Sequence, residues 1–177
     1  MASGRSHDRA ICWLCVPFGL LWWPWLGLAG VVSGCSGFLV GGLWLSPDLD
    51  TVSRPLRRWG PLAVLWYPYR RCLRHRSIAS HGPLLGTALR LAYLAVWLLV
   101  LSLLLQPFGA PSPRTLAAGL QTLWNVHGPL VLVGLAGLEA SSWLHLLQDG
   151  DPDVRLPRRW RRQRRRPRGV SARSVRR

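Results

Sequence analysis

The chain has no lysine, a single methionine and only seven acidic residues, against 23 arginines. It lacks a Walker phosphate loop, a dinucleotide fingerprint, a nucleophile elbow and any internal repeat, so no sequence signature supports nucleotide-phosphate, Rossmann-type redox or serine-hydrolase chemistry. Its four cysteines build no disulfide framework: Cys12, Cys15 and Cys35 lie inside apolar runs and Cys72 in an Arg-rich loop. A reducing environment is the simpler assumption. Cys12 and Cys15 form a CxxC, but without a second pair and inside an apolar helix this spacing fits packing better than zinc or redox chemistry. The most telling absence is positional, since no charged residue occurs from Ala10 to Pro47.

What is present falls into two classes, long apolar runs and arginine groups. The charge-free run exceeds the roughly 20 residues of one membrane helix and suits two helices, with a break at Trp22-Trp23-Pro24-Trp25, where Pro interrupts the ladder and Trp prefers the membrane interface. A third run spans Leu91–Leu105, with Arg90 at its edge where it can snorkel, and a fourth spans Pro129–Leu147 with only Glu139 charged. Glu139 is therefore read as a functional group in the fourth span or as the partner of Arg90. Pro83 and Pro129 are placed as first helical residues. The expected fold is all-α, an integral membrane helical bundle of about four transmembrane helices. Residues 1–154 form the membrane domain, and 155–177 an Arg-rich, disordered cytoplasmic tail. A competing reading takes Val32-Ser33-Gly34-Cys35 as a lipoprotein signal. Against it, the chain stays apolar as far as Leu45.

One arginine group lies between Arg54 and Arg76 and a larger one between Arg155 and Arg177, for a net charge of +16. Charge of this size calls for an anionic partner, whether phospholipid headgroups, nucleic acid or a phosphorylated substrate. For a tail just beyond a membrane helix, anionic lipid is the preferred partner over RNA, with Trp160 dipping into the interface. The positive-inside rule places both arginine groups on the cytoplasmic side. An even number of spans then puts both termini there, in a multi-pass protein of the cell membrane.

That topology gathers four polar clusters at one end of the bundle: Ser6-His7-Asp8, Ser46-Pro47-Asp48-Leu49-Asp50, His75 through His81, and His145 through Asp149. Carboxylates and imidazoles are costly to bury in so apolar a chain unless something neutralises them, and a divalent metal does so. His145 and Asp149, four apart, share a helix face. Asp48 and Asp50 converge only if the chain is irregular after Pro47, and His75 and His81 need a bend, which Ser80–Pro83 offers. Each cluster has a plainer reading: HxxxD as a surface pair, Asp48 and Asp50 paired with Arg57, Arg58 or Arg76, His7 as a loose terminus. His127, before Gly128-Pro129, is expected in a turn on the outer side.

The order of an N-terminal His, PDLD, HRxxxSH and a late HxxxD resembles the predicted membrane-bound metal-dependent hydrolases of the YdjM type. The chain is more similar still to an uncharacterised family of predicted metal-binding membrane proteins, which shares SGRSHDR, GGLWLSPDLD, RRWGPL, WYPYR and HRSIASHGPLLGT. The similarity is strong from Ser3 to Leu94 and loose around His145. It departs from the YdjM pattern in the longer spacing before His81. What the resemblance implies is a ligand set of His7, Asp48, Asp50, His75, His81, His145 and Asp149, with Arg76 as a motif residue. The expected cofactor is a divalent metal, zinc first by ligand type, with manganese or iron as alternatives. The expected activity is metal-assisted hydrolysis, with Asp50 and Arg76 as candidate catalytic residues and Arg76 holding an anionic substrate. Two other classes stay open: a noncatalytic metal-binding structural membrane protein, and an adaptor for RNA or a protein partner acting through the tail.

Overall fold

A computed structural model describes residues 4–149 of the chain. The arginine-rich segment 155–177 lies outside them. Among the described residues the fold is entirely helical, with seven α-helices, three short 3-10 turns and no strand. The expected pair of N-terminal helices is α1 (Gly4–Leu20) and α2 (Trp23–Leu43). Pro24 sits in the first turn of α2, where an absent N–H costs nothing. A further kink falls at Gly27, whose φ of 55° suits only a residue without a side chain.

Beyond α2 the chain forms a cap over one end of the long helices. It comprises a 3-10 turn (Pro47–Asp50), α3 (Arg54–Arg58), a second turn (Gly60–Trp66), α4 (Tyr67–Cys72) and α5 (Ile78–His81). The cap has its own core of Leu45, Leu49, Leu56, Trp66 and Tyr69, against which Trp59 and Tyr93 pack. It is fastened to α2 by hydrogen bonds that close the last helical carbonyls: Arg58 Nη1 donates to Leu43 O at 2.9 Å, and Trp59 Nε1 to Trp44 O at 3.0 Å. Asp8 of α1 accepts from Arg54 at 3.0 Å and from Arg58 at 2.7 Å.

The last two helices are α6 (Leu85–Leu105) and α7 (Pro113–Gln148). The segment 107–128, between the third and fourth apolar runs, is helical for most of its length. Ser112 accepts from Thr115 N–H at 3.2 Å and Pro113 opens the helix, a favourable pair at a helix start. Pro129 therefore lies inside α7, and His127 (φ −126°, ψ 22°) marks the kink just before it. The start of α6 is displaced from Pro83 to Leu85, because Leu84 is held at φ 59° with its N–H donated to Glu139 Oε1 at 2.8 Å.

By length and composition, α2, α6 and α7 are long and apolar enough to cross a membrane. The 17-residue α1, which begins among Arg5, Asp8 and Arg9, is not among them, so the described residues contain three such helices where about four were expected. α2 is the centre of the bundle, packed on α1 along one side and α7 along the other. Its contact with α7 is made by backbone: a Cβ on Gly37 would lie 2.0 Å from Gly134 O, and one on Gly137 would lie 2.7 Å from Gly34 O. Ser33 Oγ donates to Leu130 O at 2.6 Å across the same seam. This is small-residue packing, in which glycines let two apolar helices approach backbone to backbone.

Gly37→Val should lower the thermal midpoint in detergent, corresponding to about 1–3 kcal/mol of overpacking. Gly119→Ala, in open space on α7, should be neutral or stabilising by up to about 1 kcal/mol. Equal behaviour of the two variants in a melting experiment would refute the close α2–α7 contact.

Candidate metal centre

The four clusters meet at the cap end of the bundle. His7 comes from the first turns of α1, Asp48 and Asp50 from the 3-10 turn after α2, His75 and His81 from the cap, and His145 and Asp149 from the end of α7. Two groups have ligand atoms mutually within 4.8 Å and could hold a metal ion: Asp48, Asp50, His75 and His81, and His7, His145 and Asp149. Pro47 starts the tight turn that brings both aspartates inward, as the pre-proline irregularity predicts. The bend between His75 and His81 falls earlier than Ser80–Pro83. Arg76 takes φ 59° and Ser77 then caps α5 by accepting from Ser80 N–H at 3.3 Å.

Distances within the set favour coordination over simple hydrogen bonding. Asp48 Oδ1 lies 3.4 Å from His145 Nε2 and 3.6 Å from His81 Nε2. Asp50 Oδ2 lies 3.5 Å from His81 Nδ1, and Asp149 Oδ2 lies 3.7 Å from His145 Nε2. These exceed good hydrogen-bond lengths. Two donors each about 2.1 Å from one tetrahedral ion are about 3.4 Å apart. Closer pairs also occur, His75 Nδ1 with Asp50 Oδ1 at 2.9 Å and His7 Nε2 with Asp149 Oδ1 at 3.2 Å. The rings of His7 and His145 stack at 4.2 Å.

Four buried atoms of the set have no hydrogen-bond partner: His7 Nδ1, Asp50 Oδ2, His81 Nε2 and His145 Nε2. Orphaned buried polar atoms are expensive, and a shared cation would satisfy them, so the residues present fit a divalent ion. Ser80 Oγ lies 2.9 Å from His81 Nδ1, with Arg74 O at 3.2 Å and Ser77 O at 3.3 Å as acceptors for its own proton. With that proton on a carbonyl, Ser80 would accept from His81 Nδ1–H and leave the lone pair of His81 on Nε2, toward Asp48. Asp48 is thus a carboxylate facing two imidazoles, His145 and His81.

The plainer readings fare differently. Asp48 and Asp50 face imidazoles, and Arg58 pairs with Asp8 instead. Arg76 stands at the edge of the set, its Nη2 3.8 Å from Asp149 Oδ2. His127 is a kink residue far along α7. Arg90 does not snorkel. It is 2% exposed and donates to Ser80 O, Thr87 Oγ1 and Ser142 Oγ, each at 3.0 Å. Three polar acceptors at its base outcompete the route to the surface. Glu139, expected to be a functional group or the partner of Arg90, accepts from Leu84 N–H at the start of α6 and stays within electrostatic reach of Arg90. Cys12 is exposed and Cys15 buried, both as free thiols.

Ser80 and Arg90 are the residues that sequence reasoning missed as part of the centre. Ser80 precedes His81, and Arg90 and Thr87 are three apart on one face of α6, but neither spacing announces its partner. Beside the set opens a cavity of about 270 Å³ lined by His7, Asp48, His145, Arg54 and Arg57 among others. It gives the centre a basic mouth.

With this geometry in view, the chain belongs to the family described as uncharacterized metal-binding protein (DUF2227), which matches residues 2–160. It is 49% identical over 59 residues to an uncharacterized protein of Aquifex aeolicus (strain VF5), a stretch covering 33% of this chain and 41% of that one. The match thus spans less than half of that relative. No solved structure matches the chain. The family description is of metal binding, and the geometry offers two groups of His and Asp side chains for it.

Ser80→Ala removes the group that orients His81 while leaving every ligand in place. Outer partners of this kind are typically worth 10–100-fold in metal affinity, and a loss of about that size is expected in a competition titration with a chelator. Unchanged affinity would show that Ser80 does not set the tautomer.

Proposed function

We propose that the protein is a membrane-embedded, metal-dependent hydrolase whose His/Asp centre lies at the cytoplasmic end of its helices. The observation that carries this reading is the pair of buried, unpartnered Nε2 atoms of His81 and His145 facing one carboxylate, Asp48, beside a cavity with arginines at its mouth. A purely structural site would be closed by its ligands, whereas a catalytic one keeps an open approach.

Membrane embedding is supported by α2, α6 and α7 and by the many large apolar side chains they leave exposed, among them Trp25, Leu98, Leu104 and Trp124. In soluble proteins such continuous apolar surface is rare. The four-span arrangement, with α1 as the fourth and both termini cytoplasmic, rests on the distribution of arginine and on the meeting of both ends of the described chain at one centre. The arginine-rich segment 155–177 then lies against anionic headgroups.

Bound there, a divalent ion supplies a Lewis acid for water and for a carbonyl or phosphoryl oxygen. Imidazole with carboxylate suits zinc, and also manganese or iron. The chain's own residues do the rest. Asp50, its side chain fully buried and hydrogen-bonded to His75, would hold the ion from the floor of the site. Arg76, 3.8 Å from Asp149, balances an anionic substrate, as Arg54 and Arg57 do at the mouth. The resemblance in motif order to YdjM-type enzymes points to the same reaction class. A noncatalytic reading has one observation in its favour: the ligands come from α1, the turn after α2, the cap and α7, so a bound ion would also pin these elements together.

Purified in mild detergent, the protein should carry a transition metal by elemental analysis, and Asp48→Ala, His81→Ala and His145→Ala should each lower its content several-fold. Unaltered metal content in all three would sink the centre. Asp50→Asn should abolish metal-dependent turnover in a screen of phosphodiesters, phospholipids and peptides. A fully loaded protein inert on every substrate would decide for the structural reading. A cysteine probe introduced as Arg165→Cys should be shielded from impermeant reagent in intact cells. Labelling from outside would overturn the orientation.

A further inference from the structure

Resting on the metal-centre reading just given, we infer that the site is dinuclear, two divalent ions sharing Asp48 as their bridging carboxylate. One position is formed by Asp50, His75 and His81, the other by His7, His145 and Asp149.

Ligand number argues first. Seven side chains converge, in two groups. A single ion with imidazole and carboxylate ligands takes roughly four to six donors, so one ion would leave about one to three of these side chains outside its shell. Charge permits the second ion: with three carboxylates and four neutral imidazoles, one divalent ion leaves the set one unit negative and two leave it one unit positive.

Geometry assigns the bridge. Asp48 Oδ1 is 3.6 Å from His81 Nε2 in the first group and 3.4 Å from His145 Nε2 in the second, so it is the carboxylate that faces both. The other two aspartates each face one group, Asp50 toward His75 and His81, Asp149 toward His7 and His145. The division extends to the surroundings. His7, Asp48 and His145 line the arginine-rimmed cavity, while Asp50, His75 and His81 do not. The second position is therefore the one that meets a ligand entering through the cavity, and the first anchors the bridge from behind.

Manganese(II) is the probe, because its electron spin resonance distinguishes an isolated ion from a coupled pair. Apo-protein in detergent, reloaded with manganese(II) and desalted, should hold two ions per chain and give the broadened spectrum of a coupled pair. His7→Ala and His75→Ala should each fall to one ion and show the six-line pattern of an isolated one. Asp48→Asn, which keeps the side-chain shape, should lose the coupling whatever its residual content. Gel-filtration elution and helicity equal to wild type establish that a variant is folded. One ion per chain in the wild-type protein, or an isolated-ion spectrum at full loading, would overturn the dinuclear assignment while leaving the metal centre standing. No retained ion at all would bring down both.

Discussion

The polar end of this molecule depends on how closely α2 and α7 approach. Asp48 hangs just beyond the end of α2 and His145 stands in the last turn of α7, and their 3.4 Å separation is available only because the two backbones touch at Gly37 and Gly134. A pair of helices separated by ordinary side chains would sit roughly 8–10 Å apart. At that spacing the imidazole and the carboxylate would need longer side chains to meet. The small residues of the seam therefore set the scale of the centre from a distance, without contributing an atom to it.

The cap solves a different problem. Three carboxylates brought to the end of an apolar bundle repel one another and demand partners, and the cap supplies His75 and His81 on a segment stiffened by its own aromatic core. Trp66 and Tyr69 meet edge-on at 5.4 Å, and Trp66 is completely buried. Arg90 extends this support from below. Its bond to Ser80 O fixes the residue whose hydroxyl orients His81, so a cation buried at the base of α6 acts on the site through one carbonyl and one hydroxyl. Removing one member of such a buried network costs more than its own bond, because the remaining groups lose their partners.

Much of this was legible in the sequence because the signal was contrast. His7, Asp48, Asp50, His75, His81, His145 and Asp149 stand out where nearly everything around them is apolar, and counting helices was enough to bring them to one end. The Trp22–Trp25 break was equally visible. The failures share a cause. Pro129 was read as a helix start, yet a proline tolerated at a kink looks the same in sequence, and only the Ser112-Pro113 cap shows where α7 begins. Arg90 looked like a snorkelling residue because a serine, a threonine and a backbone carbonyl waiting in the interior carry no charge to advertise them. Glu139 stays within electrostatic reach of that arginine, but its hydrogen bond goes to the Leu84 N–H, which no sequence spacing marks. The glycine seam was invisible for a related reason: glycines in an apolar run mark close approach only once the facing helix is known.

The contact between His7 and Asp149 joins residues 142 positions apart. Closing so long a loop is less forbidding than it sounds, since each doubling of length adds only about 0.6 kcal/mol. Timing is the stricter constraint. A chain made from its N-terminus delivers α1 first and α7 last among these helices, so His7 is in place through most of synthesis with no acid to meet. No fragment ending before α7 possesses the position formed by His7, His145 and Asp149. Filling that position is thus a property of the finished bundle, and an ion bound there certifies that the first helix and the last have found each other.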